Sequence, residues 1–451
     1  MAARATRRTG FAAAMLGVAV FLVYNANGRE IDVGDSVPTR LLARELVLRH
    51  TVVLDRAVAE TPDYANWPSV IKTRDGHYRS AYSFAPAVEA AVVGAMLGAT
   101  DLIDLDALRA PSLVAKLTAS LLTALAVVLA FLTARRRASN GQALLVAVGF
   151  GLGTGLWPTV SQTMWQHETA IFGLMAAVWL LDRDPDRPPR LWVLGVALGL
   201  AGMARAQVSP AIAVLALAGL ARSARWRDAL GLWTLAAAAC VTVALGIAWF
   251  GHPMGPWPDL LAMNLDAHAV TGTLSREPWI GALGLLISPN RGLLVFSPIV
   301  IIAVAGVSAG RGGGAAARTL RWYGTAAVAQ FATYSLFSVW WAGYSYGPRY
   351  VLDVLPMLVP FAAVGTAVVC RRATLRVLAM LLLAWSIAVS ALGAFCYSAT
   401  IWNTDPEDVD QRHERLWDWS DLEIASCLEA GPHPDNFTLF DRSAIRQSHL
   451  R

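Results

Sequence analysis

Apolar runs of membrane-spanning length, parted by short arginine-rich loops, constrain this chain more than any other feature. Residues 112–134, 229–250 and 375–396 each hold about twenty residues with at most a single charge, the length a helix needs to cross a ~30 Å hydrocarbon core. The chain is 56% hydrophobic and 15% charged, where a soluble domain carries about a quarter charged residues. Lipid offers no partner for an unpaired N–H or C=O, so the spanning segments must be helices or a closed barrel. Runs of this length select helices, and the expected fold is an all-α, polytopic integral membrane protein.

The arginines orient it. Arg4, Arg7 and Arg8 precede the first run, and Arg135 to Arg137, Arg222, Arg225 and Arg227, Arg311, Arg318 and Arg321, and Arg371 and Arg372 separate later ones. Placing every cluster inside gives about eleven spans, a cytoplasmic N-terminus and an external C-terminus in a plasma membrane. The spans are 10–26, 112–134, 141–158, 168–181, 190–204, 208–221, 229–250, 292–309, 321–340, 351–370 and 375–396. Run 10–26 resembles a signal peptide but lacks a small-residue cleavage site, and reads as an uncleaved span. Residues 83–99, with Pro86 and Glu89, cannot be a simple crossing in this scheme and read as a re-entrant or surface helix outside. The acidic residues Asp101, Asp104 and Asp106 fit the outside as well.

The organisation that follows is a transmembrane domain over 1–396, with a first external loop at 27–111 and a long one at 251–290, then a short external tail at 397–451. Pro38 to Arg49 has the spacing of an amphipathic helix lying on the membrane surface. The net charge of +5 comes from loop arginines and calls for no nucleic acid. The four cysteines form no CxxC, and of them Cys396 and Cys427 both fall outside, where only geometry could establish pairing. His252 and His268 lack metal-ligand spacing. No inverted repeat is evident, which weighs against a secondary transporter.

Four outward-facing stretches are polar, aromatic and rich in turns. They are Glu30 to Arg40, Trp157 to Glu168, Leu285 to Leu294, and Trp340 to Tyr350. Their convergence would make one external cavity lined by carboxylates, arginines and rings. Together with Tyr78 to Pro86, they resemble the lipid-carrier-dependent GT-C glycosyltransferases. That group includes protein O-mannosyltransferases and the bacterial aminoarabinose and arabinofuranosyl transferases. The local matches are the acidic loop after the first span, the Ser-Pro-Asn-Arg-Gly-Leu-Leu run at 288–294, the Gly-Pro-Arg-Tyr run at 347–350, and Ala85-Pro86 where the family often has paired prolines.

The resemblance implies an acidic residue of the first external loop as catalytic base and a polyprenyl-phosphate sugar as donor. The acceptor would be a glycan, lipid or protein, and membrane lipids would surround the site. Inverting transfer from a lipid phosphate needs one base for the acceptor hydroxyl and a cation to offset charge on the leaving phosphate. Asp35 is the first candidate base and Asp32 the reserve. Two readings of Asp35 stand side by side: the base, or the N-cap of the helix starting near Pro38.

Arg349, at the start of span 351–370, is the candidate phosphate anchor, against an interfacial arginine that snorkels to headgroups. Arg291 has the same two readings. Lys72, Arg79 and Tyr82 are the first loop's candidate substrate contacts, against a merely solvated loop. His167 and Glu168 could bind acceptor or a divalent ion, against a carboxylate that only complements its helix start. Trp341 and Tyr346 could stack on sugar or line a prenyl groove, against an interfacial aromatic belt. Some members of the family use a divalent cation, but no dedicated metal-ligand set stands out here. The rival class is a transporter or flippase of lipid-linked glycans, which should place ionisable residues at mid-membrane depth.

Overall fold

A computed structural model describes the chain except residues 1, 30, 32, 101–102, 108, 184–188, 224–225, 259, 262–269, 271, 397–400, 433–435 and 438–451, and for 2–8 and 226 it describes the backbone alone. The protein is all-α: among the described residues the strands are one antiparallel hairpin, Val70–Lys72 with Tyr78–Ser80. Four helices among the described residues are long and apolar enough to cross a membrane: Ala110–Ala134, Arg227–Phe250, Tyr350–Val369 and Ala373–Phe395. The other apolar runs also fold as helix, among them Ala2–Tyr24, His167–Asp182, Leu191–Ala204 and Gly314–Ser335.

Boundaries differ from the sequence expectation where prolines and glycines intervene. Run 292–309 is broken: Leu293–Phe296 stops at Ser297, and Pro298, which has no N–H to donate, opens a 3-10 turn before Ile302–Gly306. Run 141–158 ends its α-helix at Leu152 and continues as the π-turn Leu156–Val160. Helix Gly314–Ser335 starts earlier than 321, so Arg318 and Arg321 lie within it.

Small residues set the closest approaches, as they do where helices pack without a hydrophobic driving force. A Cβ on Gly306 would sit 2.1 Å from the Phe361 carbonyl oxygen, and one on Gly365 would sit 2.0 Å from that of Ile302. Elsewhere apolar surface faces outward. Helix Trp233–Phe250 leaves Trp233 64% and Ile247 54% exposed. In water such a face would cost free energy; against lipid tails it does not.

The bundle has two chemically distinct ends. Helix His167–Asp182 joins them. At its Asp182 end Arg137 pairs with Asp182, Arg222 donates to the Leu181 carbonyl at 2.5 Å, and Arg136 to that of Trp179 at 2.9 Å. At its His167 end gather the first-loop segments and the turns at 340–350.

Helix Val37–Arg49 does not lie apart on a surface. It buries Val37, Leu41, Leu42 and Ala43 and packs beside Phe84–Gly98. Helix Phe84–Gly98 lies across this same end: Phe84 meets Trp249 at 6.0 Å, Glu89 pairs with Thr169, and Gly94 abuts both Val47 and Val114.

Candidate active site

The chain leaves helix Ala2–Tyr24 under tight control. Asn27 donates to the Ala394 carbonyl at 2.5 Å and Arg29 to that of Gly393 at 2.8 Å. Lys116, fully buried, donates to Asn27 and to Gln162, each at 2.7 Å, and to the Tyr24 carbonyl at 3.3 Å. These bonds fix where the following residues emerge, and Asp35 comes next.

Asp35 stands one residue before the helix N-cap, Ser36, which makes no side-chain cap; the Ser36 hydroxyl donates to the Ile31 carbonyl at 3.2 Å. The Asp35 carboxylate points away from that helix. Oδ1 accepts from the Tyr82 hydroxyl at 2.7 Å, and Oδ2 from Arg349 Nη1 at 2.8 Å. Of its side-chain surface 30% stays accessible, against 10% for Arg349. Burial disfavours the Asp35 charge, but the Arg349 charge, the Tyr82 and Arg349 hydrogen bonds and the Arg205 charge together outweigh it. Its carboxyl is therefore held below the ordinary carboxylate range. Burial, with the Asp35 charge and bond, pushes the Tyr82 hydroxyl well above its ordinary value, so it remains a donor.

Arg349 is held on three sides. Nη2 donates to the Ala342 carbonyl at 2.8 Å, and the guanidinium lies 4.7 Å over the Trp165 ring. Nε is buried without a partner. Two residues beside it hold left-handed backbones: Ala342 at φ 65° and Gln166 at φ 74°. Gln166 also reaches the Asp35 carbonyl at 3.5 Å. Each such conformation costs about 1–3 kcal/mol and persists where the surroundings impose it.

Behind this pair lies a buried network that the sequence reading missed. Asp353 accepts from Arg205 Nε at 3.1 Å, meets His167 Nδ1 at 2.9 Å, and takes the Tyr334 hydroxyl. Tyr334 stacks on Tyr350 at 4.9 Å, with Arg205 5.3 Å over the Tyr350 ring. Arg205 sits in extended backbone between helices Leu191–Ala204 and Ser209–Leu220. The signal was there: an arginine stands alone in the turn between two apolar runs, and an aspartate lies inside a third, where ionisable residues are costly.

The remaining candidates sort by position. His167 and Tyr82 join the site. Glu168, fully buried, accepts from the Trp165 and Gln166 N–H groups at 3.0 Å each, closing its own helix start. Arg79 pairs with Asp75 at 2.9 Å and lies 5.0 Å over the Trp249 ring, with Nε and Nη1 buried and unpartnered. Lys72 is exposed on the hairpin over Tyr78. Asp32 and His268 lie outside the described residues. Among the described residues no group of three His, Cys, Asp or Glu is placed to hold a metal ion.

Of the four stretches, three converge here; the Ser288 to Leu294 stretch forms a seam behind them. There Arg291 is fully buried, pairing with Glu423 at 3.0 Å and donating to Asn403 at 2.5 Å. Its other donors go to the carbonyls of Trp341 at 3.3 Å and Gly343 at 3.4 Å, which flank Ala342. Glu423 also accepts from the Gly347 N–H at 2.9 Å. Trp341 donates to Asp410 at 2.6 Å and Tyr346 to the Val389 carbonyl at 2.9 Å. Arg291, Trp341 and Tyr346 thus shape the turn that presents Arg349.

Fold and site together define an all-α membrane protein with an arginine–carboxylate pair at one end of its bundle. No family model matches the sequence, and no curated protein matches it. Among solved structures the chain is similar to the crystal structure of ArnT from Cupriavidus metallidurans bound to undecaprenyl phosphate. The two are 18% identical with a TM-score of 0.49, over 85% of this chain and 64% of that one. The chain thus spans somewhat less than two thirds of that protein's length.

Proposed function

We propose that the chain is an inverting glycosyltransferase of the GT-C type. It moves a sugar from a polyprenyl-phosphate carrier to a glycan, lipid or protein acceptor at the outer face of the plasma membrane. The observation that carries this reading is the Asp35 carboxylate, kept ionised and partly accessible between Tyr82 and Arg349 rather than spent on its own helix. The outward placement draws on the arginine-rich opposite end, which suits the cytoplasmic side.

Asp35 takes the proton of the acceptor hydroxyl as that oxygen attacks the anomeric carbon. The phosphate leaves on the opposite face, and Arg349, backed by the Arg205 charge, offsets its growing negative charge. While Arg349 pairs with Asp35 the carboxylate is a weak base. A phosphate drawn to Arg349 loosens that hold, so Asp35 gains proton affinity as the donor arrives.

The test is to incubate purified protein with a polyprenyl-phosphate sugar labelled in the sugar and with a cell-envelope extract as the source of acceptor hydroxyls. Transfer should release polyprenyl phosphate and give a product of opposite anomeric configuration by NMR. A label that reaches the other leaflet of a vesicle with its phosphate bond intact would replace this reading with the flippase. Retained configuration would remove Asp35 as a base acting in a single displacement.

A further inference from the structure

Two of the four cysteines lie together where the tail meets the last long helix. Cys396 ends helix Ala373–Phe395, its N–H donating to the Leu392 carbonyl at 2.8 Å. The thiol of Cys427, in helix Glu423–Ala430, donates to that same carbonyl at 3.1 Å. Cys396 packs against the buried cluster that holds Cys427. Cys427 is 2% exposed and Cys396 half-buried. Cys240 and Cys370 sit apart, on helix Trp233–Phe250 and at the end of Leu355–Val369.

We propose that Cys396 and Cys427 form a disulfide in the mature protein, tying the tail helix Glu423–Ala430 to helix Ala373–Phe395. The inference rests on the outward placement proposed above, since disulfides persist in oxidising compartments. Contact with one carbonyl sets the Cys427 thiol beside the Cys396 backbone, and a disulfide closes where the two Cα atoms lie within about 7 Å.

The step is thiol–disulfide exchange with a disulfide-bearing oxidant. Cys396, the more accessible thiol, attacks as thiolate and forms a mixed disulfide. Cys427 then displaces the second sulfur, so two S–H bonds become one S–S bond and the oxidant's disulfide becomes two thiols. Glu423 lies one helical turn from Cys427 on the same face. The bond would therefore fasten the element whose carboxylate holds Arg291 and the Gly347 N–H, and through them the turn bearing Arg349.

The experiment uses the full chain, isolated without reductant, denatured in a maleimide and digested for mass spectrometry. The expected result is a linked pair of peptides carrying Cys396 and Cys427, lighter by two hydrogens than their sum. Reduction, or Cys396→Ser, should raise the rate of tail proteolysis several-fold while leaving transfer by the remaining intact protein. Recovery of both cysteines as maleimide adducts overturns the disulfide. In parallel, Glu414→Cys is labelled on intact cells with a membrane-impermeant maleimide. Labelling together with free Cys396 and Cys427 sinks the disulfide alone; failure to label sinks the outward placement and the disulfide with it.

Discussion

Two arginines leave turns of similar make, Pro-Asn-Arg-Gly and Gly-Pro-Arg-Tyr, and each meets a distant carboxylate. Arg349 reaches Asp35 across 314 residues and Arg291 reaches Glu423 across 132. Their surroundings differ. The Arg291–Glu423 pair is wholly buried, and backbone carbonyls and Asn403 take the other guanidinium donors. The Arg349–Asp35 pair keeps accessible surface and leaves Arg349 Nε unpartnered. A wholly buried pair whose guanidinium donors are all engaged holds position; a partly accessible one with a guanidinium donor to spare can exchange partners. The same ion pair is scaffold in one place and candidate machinery in the other.

The contrast can be broken by substitution. Asp35→Asn should cut transfer by about 10²–10⁴-fold, the usual contribution of a general base, while yield holds and thermal stability falls far less than for a wholly buried pair. If transfer survives, Asp35 is not the base. Glu423→Gln should do the reverse. It leaves a buried guanidinium uncompensated, so the melting temperature in detergent should drop by the equivalent of about 3–5 kcal/mol. A stable Glu423→Gln protein would make the seam dispensable.

Arg349→Gln should weaken use of the donor by about 1.5–3 kcal/mol, roughly tenfold to a hundredfold in kcat/KM. It should also move the acid limb of the pH profile. Arg349 lowers the Asp35 carboxyl, so the ionised form, and the stability it lends, is present above the unfolded carboxylate pKa and is lost as pH falls through the depressed native one. Removing Arg349 raises that native value, so activity should fail at higher pH than in the parent. An unmoved limb would detach Arg349 from Asp35. Tyr82→Phe deletes one hydrogen bond, worth about 0.5–1.5 kcal/mol, and should shift the limb in the same direction by less.

Much of this was legible beforehand. Arg136 and Arg137 of one cluster and Arg222 of another do meet at one end, around Asp182 and Leu181, and the first loop does gather with Arg349 at the other. Hydropathy and charge act locally, so they can be read locally. The distinct fates of Arg349 and Arg291 could not be read, because partner choice depends on residues more than a hundred positions away. Nor does Asp35 cap its helix, since tertiary partners outcompete the local N–H groups. Arg205 and Asp353 could have been found: each is a lone charge beside or within an apolar run, and only their mutual contact was hidden.

The turn before Arg349 also says where variation can enter. Gly347, at φ 69°, admits no side chain, because a Cβ would stand 2.7 Å from Phe296 Cδ1. Ala342 has the same handedness and already carries its methyl group. Glycine at 342 would relieve backbone strain of about 1–3 kcal/mol while adding about 0.5–1 kcal/mol of unfolded-state freedom, so Ala342→Gly should leave the melting temperature unchanged or raise it. A saturation library over this turn should therefore drift at 342 and stay closed at 347. Two left-handed positions, separated along the turn, would thus set unequal bounds on the natural history of one loop.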